Sequence, residues 1–187
     1  MRYYRLNPDV GVEGRWFLAE PRLGGVIPDG YSIWNLWDTD PLPDKTKLHY
    51  DIQDPGGSLD ITIDGFENMV LSKSAAGQLR KIVGESCSFH PVQISGKSQE
   101  FFLLKILKSI SCIDFGNSIV DYFPNNHEKG GQVRTVYSLA VDVDKLSELN
   151  PAIFRILDYP SIIVVSDNFK QVVSANKLSG CIFEKVS

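Results

Sequence analysis

Two stretches of helical periodicity, each opened by a serine after an apolar run, constrain the fold of this chain most. Ser72 follows the apolar residues 69–71, and Ser166 follows residues 161–165. A serine hydroxyl in this position accepts a hydrogen bond from an unpaired N–H of the first helical turn. Apolar residues then recur every three or four positions, which predicts one helix after each serine.

The rest of the chain is predicted to form short strands separated by turns. Residues 59–64 alternate apolar and polar side chains, which predicts a half-buried strand. The apolar run 101–106 suits a buried strand or a helix, and its aromatic start favours the strand. The alternation over 133–143 predicts another strand, followed by a helical turn over 144–149. Many strands that do not alternate regularly with helices indicate an α+β fold, strand-rich, with a mostly antiparallel or mixed sheet and two or three short helices.

Length and composition predict one soluble domain over residues 1–187, because no linker or low-complexity tract interrupts the chain. The formal net charge of −4 gives no basic field for nucleic acid, so we expect no nucleic-acid partner. The longest apolar run, 162–165, is far shorter than the roughly 20 residues of a membrane helix. The N-terminus also lacks the apolar segment of a secretory signal. We therefore expect a cytoplasmic protein without a membrane partner.

Acidic residues are concentrated between positions 38 and 67. This stretch has eight Asp or Glu residues against two Lys, a net charge of −6, which leaves +2 for the rest of the chain. Two tryptophans lie beside it, and aromatic anchors within a charged rim are the usual anatomy of a protein interface. We predict a surface for a basic protein partner, formed by Trp34, Trp37, Asp38, Asp40 and Asp44. The alternatives are a merely solvated acidic face and ordinary core packing of both tryptophans.

No local motif indicates catalysis, a metal or a cofactor. The three histidines are isolated from one another and from the cysteines, and none has the spacing of metal ligands. Gly96-Lys97-Ser98 resembles the end of a phosphate-binding loop, but Pro91 stands where that loop needs a glycine. We therefore predict no catalytic, cofactor-binding or metal-binding residues. A small hydrolase with a dispersed site that uses His90 or His127 stays an alternative, as does a module with an apolar ligand pocket.

An ordered series of short segments along the chain resembles a known family. The segments are Tyr3-Tyr4-Arg5-Leu6, Gly14-Arg15-Trp16, Gly57-Ser58-Leu59-Asp60, Val70-Leu71-Ser72, Pro91-Val92, Ser111-Cys112-Ile113-Asp114 with Ser118, Ile153-Phe154-Arg155, Ile163-Val164-Val165-Ser166 and Leu178-Ser179-Gly180-Cys181-Ile182-Phe183. In this order they are similar to immunity family eleven, a family of bacterial polymorphic-toxin immunity proteins.

The resemblance implies a non-enzymatic antidote that is encoded beside a secreted toxin and protects the producing cell, in competition between bacteria, by binding the toxin domain. The family pattern has no catalytic residues to carry over, and its matching positions are expected to be framework, with Trp16 and Phe154 in the core. For Arg155 we expect a buried charge pair with Asp60 or Asp114. An antidote kept in the cytoplasm would meet a toxin that acts there.

Overall fold

The computed structural model describes residues 2–186 and has, in this range, fifteen strands and three α-helices, which confirms the predicted α+β fold. The helices are α1 (Lys73–Val83), α2 (Val143–Leu149) and α3 (Asp167–Ala175), and short 3-10 helices span Ile33–Trp37 and Gly84–Ser86. The strands are β1 (Tyr3–Pro8), β2 (Phe17–Leu18), β3 (Arg22–Gly24), β4 (Lys47–Tyr50), β5 (Ile52–Asp54), β6 (Ile61–Ile63), β7 (Met69–Ser72), β8 (Cys87–Ile94), β9 (Phe101–Ile106), β10 (Ser109–Ile110), β11 (Ile119–Tyr122), β12 (Val133–Ser138), β13 (Ile153–Ile156), β14 (Tyr159–Ser166) and β15 (Cys181–Lys185).

The strands form two larger sheets and two ribbons. One sheet has the order β10-β13-β14-β1-β15 and the other the order β3-β4-β8-β9-β7-β6, while β2 pairs with β5 and β11 with β12. The pairs β10–β13 and β4–β8 are parallel. The other strand pairs in the described range are antiparallel, so the prediction of a mostly antiparallel or mixed sheet is confirmed.

Both serine caps form as the sequence predicts. The Ser72 hydroxyl accepts a hydrogen bond from the Ala75 N–H at 3.2 Å, and the Ser166 hydroxyl accepts one from the Phe169 N–H at 3.3 Å. The helices α1 and α3 turn their apolar faces into one cluster that also receives side chains from β1, β6, β7, β9, β13 and β14. The two larger sheets therefore share a core.

The six-stranded sheet is covered on both faces. Leu71 of β7 points into the cluster shared with the other sheet, and its neighbour Val70 points into a second cluster on the opposite face. Trp16, Tyr50 and Leu36 belong to that second cluster, and Leu36 comes from the 3-10 helix Ile33–Trp37. This helix thus lies on the outer face of the six-stranded sheet.

Two strand predictions need correction. The strand within residues 59–64 is not half-buried, because Thr62 is also buried and its hydroxyl accepts a hydrogen bond from the indole N–H of Trp16 at 2.9 Å. A buried partner thus offsets the cost of turning a polar side chain inward. The strand predicted over 133–143 ends at Ser138, because the residues that follow lead into α2. Within the described residues, no helix is long and apolar enough to cross a membrane.

Candidate partner-binding surface

The two predicted tryptophans lie on one face of the 3-10 helix Ile33–Trp37. A 3-10 helix has about three residues per turn, so side chains three positions apart are aligned. Trp34 and Trp37 accordingly meet edge to face, with ring centroids 5.4 Å apart, while Leu36 points into the core. The Trp34 side chain is 55% exposed and also packs against Phe66 at 5.5 Å. The alternative of ordinary core packing is therefore wrong for Trp34.

Trp37 attaches the 3-10 helix to the two larger sheets. Its indole N–H donates to the Phe66 carbonyl oxygen, in the turn between β6 and β7, at 2.8 Å. The Arg155 guanidinium of β13 lies 5.7 Å from the centre of its ring, within reach of a cation–π interaction. Half-buried Trp37 is thus an anchor, and Trp34 is the aromatic side chain presented to solvent.

The three predicted acids follow the 3-10 helix and are exposed. Asp38 is the residue directly after the helix, and its carboxylate accepts a hydrogen bond from the Asn35 side-chain amide at 2.8 Å. Asp40 and Asp44 lie further along the same segment, and their side chains face solvent. Trp34 is therefore an exposed aromatic ring on a segment that also carries exposed carboxylates, and its use by a partner stays a prediction.

Part of the acidic excess is structural. Asp64 is buried and accepts hydrogen bonds from the Tyr50 hydroxyl, from the backbone N–H groups of Phe66 and Asn68, and from the Asn68 side-chain amide. Burial raises the pKa of Asp64, and these hydrogen bonds oppose that effect. Glu67 is half-buried, and burial also raises its pKa while Arg155 lowers it. These two carboxyls make contacts inside the protein, so only the exposed acids of residues 38–67 contribute to an acidic surface.

A buried lysine holds the C-terminal end of the 3-10 helix. Lys105 on β9 is 1% exposed, and its ammonium donates to the carbonyl oxygens of Asn35 at 2.9 Å, Leu36 at 3.2 Å and Asp38 at 2.9 Å. The last carbonyls of a helix have no partner within the helix, so a cation there satisfies them. Burial lowers the pKa of Lys105 to about 8, Asp38 opposes this effect, and Arg155 adds to it. Lys105 therefore fixes the segment that presents Trp34.

Arg155 is buried as expected, but its predicted partners are wrong. Its guanidinium donates to two backbone oxygens, Pro160 O and Glu67 O, each at 2.7 Å. Asp60 and Asp114 instead bind serine and asparagine side chains near them. Burial lowers the pKa of Arg155 to about 10, and the Glu67 charge opposes this most. Arg155 thus links the β13–β14 hairpin to the β6–β7 turn beneath Trp37.

His49 and Ser95 line a groove of about 480 Å³, and both contact Asp51, which bears on the hydrolase alternative. His49 Nε2 lies 3.0 Å from Ser95 Oγ and 3.3 Å from Asp51 Oδ1. A catalytic triad places serine and carboxylate on opposite nitrogens of the ring. Here one nitrogen contacts both, and the Ser95 hydroxyl donates directly to Asp51. That bond is the main reason why the pKa of Asp51 is lowered. The cluster is therefore not arranged to activate a serine nucleophile.

The two histidines of the predicted hydrolase have separate partners. His90 Nε2 lies 2.7 Å from the Ser88 hydroxyl on β8, and burial lowers the pKa of this half-buried imidazole. The His127 ring stacks on Phe123 in an exposed loop, with ring centroids 4.6 Å apart. In the part of the chain that the structure describes, no three His, Cys, Asp or Glu side chains are grouped as they would be to hold a metal ion.

Comparison with known proteins decides the family. Residues 21–187 match the model of the immunity protein family, Imm11. The chain belongs to the Imm11 family. The resemblance to immunity family eleven is thereby confirmed, although its first two segments, which end at Trp16, precede the matched residues. Membership in Imm11 indicates an immunity function with a toxin as the partner protein, and it implies a non-enzymatic role. No curated protein matches the chain.

The five predicted surface residues lie within the region that matches Imm11. Sequence reasoning predicted these residues and the burial of Arg155, but it missed the buried Lys105 that holds the end of the 3-10 helix. The signal for Lys105 was a single charged residue inside the apolar run 101–106. Its carbonyl partners lie about 70 positions earlier, so no local pattern indicates the contact.

Proposed function

We propose that this Imm11 protein binds and neutralises the toxin domain of a cognate secreted bacterial toxin, as the immunity half of an effector–immunity pair. The observation that carries the proposal is the exposed ring of Trp34, held on a fixed segment and followed by exposed Asp38, Asp40 and Asp44. Tryptophan is enriched among the residues that contribute most to binding energy, and charged residues commonly surround such anchors. Membership in Imm11 supports a protein partner.

The segment is ordered before any partner arrives. Three hydrogen bonds from Lys105 hold the C-terminal end of the 3-10 helix, and the hydrogen bond from Trp37 to the Phe66 carbonyl ties the same end to the β6–β7 turn. A surface that is already rigid loses less conformational entropy on binding, so more of the contact energy contributes to affinity. This arrangement suits an antidote that must bind one toxin tightly.

The exposed carboxylates favour a toxin with a basic contact surface. Opposite charges accelerate association and favour the correct partner, and both effects weaken as salt screens them. We further propose that the complex forms in the cytoplasm of the producing cell, where the toxin would otherwise act.

The test uses the toxin domain encoded by the neighbouring gene, purified with and without this protein. We expect the wild-type chain to co-purify with it and to suppress its toxicity. Trp34→Ala should weaken binding by about 30-fold, since an interface tryptophan commonly contributes about 2 kcal/mol or more. Ile182→Ala is the control, because Ile182 is an equally exposed apolar side chain on β15, away from this segment.

The charge contribution is measured separately. Replacing Asp38, Asp40 and Asp44 together by asparagine should slow association and flatten its dependence on salt. Unchanged affinity in both this variant and Trp34→Ala would show that the interface lies elsewhere on the protein. Failure of the wild-type chain to bind or protect against the toxin would refute the proposed function itself.

A further inference from the structure

A second exposed aromatic group lies where the β11–β12 ribbon meets the β13–β14 hairpin. Phe115 is 49% exposed, Tyr122 44% and Leu157 57%, and together they line a pocket of about 370 Å³. The rings of Phe115 and Tyr122 have centroids 6.4 Å apart and an interplanar angle of 30°. Single exposed apolar side chains are ordinary, but a group of them around a concave surface marks a contact site.

The pocket also contains a carboxylate that lacks a donor. Among the residues that the structure describes, Asp158 is the one charged residue that lines it, beside residues 131–133. Its Oδ2 atom is buried and accepts no hydrogen bond from any residue that the structure describes. An ionised carboxylate can accept several hydrogen bonds, and a buried carboxylate oxygen without a donor lowers the stability of the fold. This oxygen is closed to solvent, so a ligand in the pocket does not bind it directly, but a positive charge placed there would stabilise the carboxylate of the lining residue Asp158.

We propose that this pocket receives an arginine side chain of the toxin, which makes it a second part of the interface and rests on the proposed function. A cation interacts with an aromatic face within about 6 Å of the ring centre, and two exposed aromatic residues, Phe115 and Tyr122, line this pocket. The guanidinium suits the site better than an ammonium, because it stacks on aromatic rings and is more weakly hydrated.

The pocket is joined to the Trp34 surface through Arg155. The Arg155 guanidinium lies over Trp37 and also donates to the carbonyl oxygen of Pro160, two residues after Asp158. The β13–β14 hairpin therefore connects the two aromatic groups. Each has exposed aromatic rings and at least one carboxylate, so a single basic partner complements both.

The first experiment needs no toxin. A short blocked peptide with one arginine is titrated into the labelled protein, and a peptide with citrulline in its place supplies the same shape without the charge. We expect the arginine peptide to shift the backbone NMR signals of Tyr122 and Gln132, and Asp158→Asn to abolish these shifts. Glu128→Gln removes an exposed acid from the neighbouring loop and should keep them. Equal shifts with citrulline, persistence in Asp158→Asn, or no shift at millimolar peptide would overturn the proposal.

The second experiment uses the toxin domain. Asp158→Asn should weaken binding by about tenfold, and Glu128→Gln by less than about twofold, because only Asp158 lies inside the pocket. If Trp34→Ala weakens binding while Asp158→Asn and Tyr122→Ala do not, this inference is wrong and the proposed function stands. If the wild-type protein does not bind the toxin domain, the toxin does not supply the arginine, and both proposals are wrong. Self-association that Asp158→Asn abolishes would assign the pocket to a second copy of this chain, which also contradicts the proposal.

Discussion

Replacement of Lys105 by methionine should release the 3-10 helix that carries Trp34 while the sheet beneath it stays folded. Methionine fills most of the same buried space but cannot donate to the carbonyl oxygens of Asn35, Leu36 and Asp38. Each buried oxygen that loses its donor costs about 1–3 kcal/mol. Against this loss, methionine avoids burying a charge, and the lowering of the Lys105 pKa from 10.5 to about 8 corresponds to about 3 kcal/mol. At about 2 kcal/mol for each of the three bonds, the loss of about 6 kcal/mol exceeds the relief by about 3 kcal/mol.

Amide hydrogen exchange measures this loss where it occurs. We expect the protected amides within Ile33–Trp37 and the following residue to exchange about 100-fold faster in Lys105→Met, because 3 kcal/mol of local stability corresponds to roughly that factor. Amides of β7 and β8 should keep their protection. Lys47→Met is the matched control, since Lys47 is an exposed lysine on β4 of the same sheet. Unchanged exchange in the 3-10 helix of Lys105→Met would refute the role given to the ammonium.

The pH dependence provides a separate check on Lys105. Its pKa is about 8 in the folded chain and about 10.4 when unfolded, so between these values the unfolded state binds more protons. The penalty for burying the charge is therefore fully present below pH 8 and is relieved as the pH rises. The free energy of unfolding of the wild type, relative to Lys105→Met, should increase from pH 8 to pH 9.5. A constant difference would show that Lys105 is not desolvated.

Three further predictions concern the junction between the two sheets. Gly180→Ala should destabilise the fold by about 2 kcal/mol or more in chemical denaturation, because φ is +106° and a Cβ there would lie 2.0 Å from the Ile61 carbonyl oxygen. The control Gly77→Ala, on the exposed face of α1, should stabilise the fold by about 0.5–1 kcal/mol. Equal effects of the two substitutions would contradict this packing. Asp60→Ala should cost about 1–2 kcal/mol in the same assay, because its carboxylate accepts hydrogen bonds from the backbone and hydroxyl of Ser179; no loss would show that these bonds are dispensable. We also propose that residues 1–187 are a single domain, so circular dichroism and fluorescence should report one coincident unfolding transition, and two separate midpoints would refute this.

The sequence predicts this fold best where local chemistry is decisive. Ser72 and Ser166 lie at strand-to-helix junctions, where a hydroxyl has one favourable use, and both cap a helix as predicted. The buried strand over 101–106 is also confirmed, although its Lys105 was not predicted to be buried. A local pattern carries information about local hydrogen bonds, and these elements depend mostly on such bonds.

Prediction from the sequence fails where a polar side chain forms a hydrogen bond with a residue that is distant in the chain. Thr62 is buried because Trp16 donates to it, and Arg155 binds two backbone oxygens where we expected a carboxylate. A backbone carbonyl has no side-chain identity, so residue types cannot reveal such a partner. The five surface residues are proposed from their own chemistry, and their role in binding stays a prediction. The Asp158 pocket could not be proposed in this way, because its lining comes from four stretches of chain that meet only in the folded protein.

The three tryptophans of this chain differ in their exposure to solvent, so their intrinsic fluorescence can report whether the Trp34 surface is covered. Trp16 is enclosed in the core, Trp37 is partly covered and Trp34 is largely open. A neutral dissolved quencher such as acrylamide, which the nearby carboxylates do not repel, should therefore reduce the emission of Trp34 first, and a protein bound to this face should shield Trp34 from the quencher. Unlabelled material would then suffice to follow occupancy of the surface.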